Sequence, residues 1–63
     1  MGYECLIYQN GKRIRTYHLP LIPRIGEKIA FYSTEHHQFE EHIVTNVAYI
    51  VPQGHHFRVK IYI

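Results

Sequence analysis

The segment Pro23-Arg24-Ile25-Gly26-Glu27-Lys28-Ile29 sits between two stretches of β character, and no part of the chain carries a helical apolar stripe. Pro20 and Pro23 each remove a backbone donor and hold the preceding residue extended, so they end the strand before them. Gly26 permits a tight turn, and the Glu27 carboxylate can accept hydrogen bonds from it. A chain that breaks and restarts in this way is held to small all-β architectures. Its 63 residues make one domain, residues 1–63, too short for a two-sheet sandwich of the immunoglobulin kind. The expectation is an all-β, five-stranded small barrel with an N-terminal hairpin.

The hairpin is the best specified part. Residues 3–9 alternate with β-branched and aromatic side chains, Asn10-Gly11 follows, and residues 12–19 return. Asn-Gly suits a type I′ turn, which needs two positive φ angles. A two-residue turn sets Tyr8 opposite Arg13, Ile7 opposite Ile14, Leu6 opposite Arg15 and Cys5 opposite Thr16. Tyr3, Cys5, Ile7, Ile14, Thr16 and His18 then face inward. Glu4, Leu6, Tyr8, Arg13, Arg15 and Tyr17 face outward. The third strand spans residues 28–33, with Ile29 and Phe31 inward. Residues 34–41 read as a loop or a single helical turn. Residues 42–51 form one long strand, where a β-bulge near Thr45-Asn46 brings Val44, Val47 and Tyr49 to one face. Residues 57–63 alternate, with Phe57, Val59, Ile61 and Ile63 on one side and Arg58, Lys60 and Tyr62 on the other.

Pro23-x-x-Gly26-Glu27-x-Ile29, followed by Val44-x-x-Val47-x-Tyr49 and an alternating last strand, resembles the small SH3-like barrels of bacteria and their phages. The resemblance runs from about residue 19 to residue 63. It implies a fold more than a function, because such barrels serve as nucleic-acid binders, protein-interaction modules and phage-encoded inhibitors alike. The histidine-rich stretch at residues 35–42 departs from the pattern, so no functional residue is transferred.

Two constellations bear on chemistry. His36, His37 and His42 lie in one segment and His55-His56 in another, with Glu40 and Glu41 nearby. The spacing matches no zinc signature, and adjacent histidines in extended chain point to opposite sides, so exposed loop residues are expected and no metal. The second constellation is basic and aromatic. Tyr8, Arg13, Arg15 and Tyr17 share the expected outer face of the hairpin, and Arg58, Lys60 and Tyr62 form a matching row on the last strand. If the terminal strands are neighbours, the rows merge. Aromatic and arginine side chains supply hot spots at protein interfaces. The same types hold single-stranded nucleic acid by stacking and charge. The plainer alternative is a solvated face with cross-strand Arg–Tyr pairs.

Catalysis is poorly supported. The chain has no aspartate, and its five glutamates form no evident acid–base pair. A Cys5–His18 dyad is conceivable from the hairpin register, though both side chains read as core. Cys5 is the single cysteine, so no intrachain disulfide is expected, and an apolar setting makes it a small hydrophobe. The formal charge of +2, with six histidines that would add to it on protonation, does not by itself argue for nucleic acid. No signal peptide or membrane span is evident, and a cytoplasmic location is expected. The expected function is a non-catalytic binding module without a cofactor. Its partner is a protein, in the setting of a phage or mobile-element inhibitor or accessory protein, with nucleic acid as the alternative. Open strand edges point to a weak symmetric homodimer, through an edge or through the tyrosine-rich face.

Overall fold

The computed structural model describes residues 2–54 and 57–63, so the expectation for His55-His56 falls outside the described residues. The chain is all-β, as its alternating patterns require. Among the described residues six strands run β1 (Tyr3–Gln9), β2 (Lys12–Leu19), β3 (Lys28–Ser33), β4 (Gln38–Ile43), β5 (Asn46–Ile50) and β6 (Arg58–Tyr62). They form a four-stranded sheet of order β2-β1-β6-β5 and a separate β3–β4 hairpin, and the two do not close into a barrel. The first and last strands lie side by side and parallel, while every other pairing is antiparallel.

The N-terminal hairpin turns at Asn10 (φ 53°) and Gly11 (φ 78°), with Tyr8 opposite Arg13 as the Asn-Gly pair demands. Beyond that point the expected register fails. Ile7 pairs with Arg15, Leu6 with Thr16 and Cys5 with Tyr17, because Ile14 is inserted as a bulge. One extra residue exchanges the two faces of everything after it. Ile14, Thr16 and His18 are therefore exposed rather than inward, and Arg15, Tyr17 and Leu19 take the inner side, where Tyr17 and Leu19 are half-buried and Arg15 stays exposed.

The turn at residues 24–27 forms as the sequence indicates. Glu27 N donates to the Arg24 carbonyl at 3.0 Å, Gly26 carries the positive φ of 92°, and the Glu27 carboxylate accepts from Arg24 N at 2.7 Å. From this turn β3 runs out and β4 returns. The loop expected over residues 34–41 is in fact a four-residue turn at 34–37 followed by strand, since Phe39, Glu41 and Ile43 gain backbone partners on β3. The single strand expected over residues 42–51 is divided. Val44 N and O pair back to Glu27 and Gly26, whereas Thr45 N donates to the Tyr62 carbonyl. The chain thus passes from the hairpin to the sheet at Val44-Thr45.

The core lies between the inner face of the sheet and the hairpin. Cys5, Ile7, Val59 and Ile61 from the sheet meet Phe31 and Val44, with Tyr17, Leu19, Ile22, Ile29, Val47 and Ile63 around them. Val47, expected to be buried, is half-buried, because β5 is an edge strand.

Candidate binding face

The parallel β1–β6 pairing assembles the site. Cys5 lies beside Val59 and Ile7 beside Ile61 on the inner side, so Leu6 with Lys60 and Tyr8 with Tyr62 share the outer side. Across β2, Tyr8 faces Arg13, and across β5, Ile50 faces Arg58. Five of the seven expected residues therefore meet on one sheet face: Tyr8, Arg13, Arg58, Lys60 and Tyr62. Of the hairpin row Tyr8 and Arg13 join the row of the last strand, and Arg15 and Tyr17 do not.

Contacts within this face are close. The Tyr8 and Tyr62 rings are 5.4 Å apart at a 34° tilt, and the Lys60 ammonium lies 5.1 Å from the centre of the Tyr8 ring. Leu6, beside Lys60 across the strands and two residues from Tyr8 along its own, is 2% exposed. Three cations, Arg13, Arg58 and Lys60, share the face with one acid, Glu4, which pairs with His18 across β2. Among the described residues none of these cations forms a salt bridge.

Arg15 and Tyr17 are not part of the face. The bulge at Ile14 turns them inward, against the β3–β4 hairpin. Tyr17 stacks on Phe31 at 5.4 Å with the rings 10° from parallel. The Arg15 guanidinium lies 5.6 Å from the same Phe31 ring and donates to the Tyr32 carbonyl at 3.5 Å. Both residues fasten the hairpin to the sheet, a structural duty that their residue types alone do not separate from binding.

The other candidates resolve as follows. Cys5 and His18 stand on opposite faces of the sheet, since His18 pairs with Glu4 rather than Cys5, so they form no dyad. Burial pushes the Cys5 thiol up from its ordinary pKa, with a smaller opposing effect from the backbone at Leu19, which disfavours the nucleophilic thiolate. His36 contacts Glu40 through Nδ1 at 2.6 Å and Glu35 through Nε2 at 3.5 Å, and its backbone N donates to Ser33 Oγ. These contacts brace the β3–β4 turn. Among the described residues no three metal-binding side chains converge. Among the described residues no helix is long and apolar enough to cross a membrane.

An open groove of about 1220 Å³ runs between β5, the start of β1 and residues 21–29. Tyr3, Ile22, Ile25, Val47 and Tyr49 line it together with the charged Arg24, Glu27 and Lys28. The sequence reading missed Leu6 as the buried centre of the outer face. The signal was present in its apolar character among polar neighbours, and it becomes decisive once β6 is known to lie alongside.

Comparison with protein-family models, with curated proteins and with solved structures finds no match.

Proposed function

We propose that the chain is a non-catalytic binding module, and that it takes a protein partner on the outer face of the β2-β1-β6-β5 sheet. The observation that carries the reading is the junction of Tyr8, Tyr62 and Lys60 on the face that also holds the buried Leu6, flanked by Arg13 and Arg58. Large semi-rigid rings beside a buried leucine, with cations at the margin that form no salt bridge among the described residues, have the composition of an interface hot spot. The charge selects a partner with an acidic surface.

Nucleic acid is the second reading, favoured by the same cations and tyrosines. It is the weaker one here. A stacking platform needs free ring faces, and Lys60 and Tyr62 already occupy the surroundings of Tyr8. On this reading the open two-sheet arrangement is a variant of the small SH3-like barrel, supported by the Pro23-x-x-Gly26-Glu27-x-Ile29 turn that enters a core strand. The role of a phage or mobile-element inhibitor or accessory protein belongs to that resemblance.

Capture from a host lysate on the immobilised chain, with and without nuclease and at rising salt, tests the proposal. A protein that stays bound after nuclease and survives moderate salt supports it. Binding lost on nuclease treatment, with a steep salt dependence, transfers the face to nucleic acid.

A further inference from the structure

A second uncovered apolar surface lies away from this face, on the β3–β4 hairpin. Ile29, Phe31 and Ser33 point to the core, so Lys28, Ala30 and Tyr32 point outward, together with their cross-strand partners Ile43, Glu41 and Phe39. All six are exposed, with Phe39 at 69%, Ile43 at 55% and Tyr32 at 46%. The Tyr32 and Phe39 rings meet edge-on at 5.4 Å. A two-stranded hairpin is marginal by itself, and this one has an apolar face that the rest of the chain leaves bare.

The dimensions of the molecule indicate how much surface is uncovered. The chain exposes 5006 Å². A compact monomer of its 7.6 kDa exposes about 4,300 Å² on the usual scaling of surface with mass. Its radius of gyration is 12.1 Å, where about 10.6 Å is ordinary for this length, and it measures 41 Å by 21 Å by 21 Å. The excess of roughly 700 Å² is spread over the elongated molecule, and the bare hairpin face is one part of it.

The charges of the hairpin face indicate the occupant. It carries one cation, Lys28, and one acid, Glu41, so it selects neither an acidic nor a basic partner but is complementary to itself. A two-fold axis parallel to the strands sets Tyr32 over the second copy's Phe39, and Phe39 over the second copy's Tyr32. It sets Ala30 across from the second copy's Glu41. Lys28 then lies two residues along the strand from that Glu41, an offset of about 7 Å added to the roughly 10 Å between facing sheets, which the lysine and glutamate side chains span together. The same contact repeats in the other direction, as an isologous interface requires.

We propose that the outer face of the β3–β4 hairpin is a homodimer interface, closed by the four rings of Tyr32 and Phe39 and by reciprocal Lys28–Glu41 pairs. This leaves the β2-β1-β6-β5 face of both copies free, and the proposal stands independently of what that face binds.

Sedimentation velocity on the full chain, from about 1 µM to about 500 µM, provides the test. The wild type is expected to pass from monomer to dimer in this range. Phe39→Glu is expected to stay folded by circular dichroism and to weaken the dimer about thirtyfold or more. Lys28→Glu and Glu41→Lys are each expected to weaken it about tenfold, and the double exchange is expected to recover most of the loss. A wild type that remains monomeric throughout overturns the proposal and leaves the face bare or assigned to a different protein. A wild-type dimer unaffected by Phe39→Glu, or a double exchange without recovery, also overturns it.

Discussion

Arg15 and Tyr17 show how little residue type alone decides. Both belong to the basic and aromatic set that a binding surface uses, yet they hold the hairpin on the sheet through Phe31. Tyr17→Ala removes a stacked ring and opens a cavity beside Phe31, so a loss of roughly 2–3 kcal/mol is expected. Arg15→Ala removes a cation–π contact and the packing of its aliphatic stem, worth about 0.5–1 kcal/mol. Thermal melts check both: Tyr17→Ala should lower the midpoint by about 10 °C or more, and Arg15→Ala by several degrees. Cys5 behaves as a buried hydrophobe. Its folded pKa is raised, so the native state holds the proton more tightly than the unfolded chain. Its contribution to stability is full below the ordinary thiol pKa and falls as pH rises through and above it. Thiol labelling at neutral pH should therefore be slow and should accelerate with denaturant in step with unfolding. Rapid labelling under native conditions would show that Cys5 is accessible.

Among the elements, the β1–β2 hairpin rests on a single inserted residue. With Ile14 as a bulge, deleting it leaves Ile7 opposite Arg15 and keeps Tyr17 and Leu19 inward. In an unbulged hairpin the same deletion would reverse every side chain beyond it. The deletion variant is thus expected to fold, with a melting midpoint within about 8 °C of wild type, equivalent to about 1 kcal/mol. An unfolded deletion variant would contradict the register. The limits of β1, β2 and β3, the Asn10-Gly11 turn and the turn at Gly26 were all legible, because each has a local chemical cause. The bulge was not. Ile14, Thr16 and His18 form as plausible an inner face as Arg15, Tyr17 and Leu19, so alternation could not choose. β4 was also hidden: Gln38, Glu40 and Glu41 carry little strand preference and are extended because β3 supplies their partners. The division at Val44-Thr45 is a tertiary event, in which adjacent residues bond to different sheets.

At the scale of the whole molecule, the terminal strands decide what the surface can do. Parallel pairing of β1 with β6 brings Tyr8 to Tyr62, a contact between residues 54 positions apart, and sets Lys60 against both strands. That junction was foreseeable as a consequence of adjacent termini, but the sequence did not fix the direction of pairing or which hairpin residues joined it. Five residues lie on the outer face proposed to bind, and Arg15 and Tyr17 contact Phe31 on the other side. The most direct measurement compares two double variants, Arg13→Ala with Lys60→Ala and Arg15→Ala with Tyr17→Ala, for thermal midpoint and for affinity to the protein captured by the wild type. The first pair should keep the midpoint within about 5 °C and weaken binding about tenfold or more, as loss of interfacial charge and anchor contacts does. The second pair should lower the midpoint by well over 10 °C. Unchanged binding in the first pair, or an unchanged midpoint in the second, would contradict the division of the two faces.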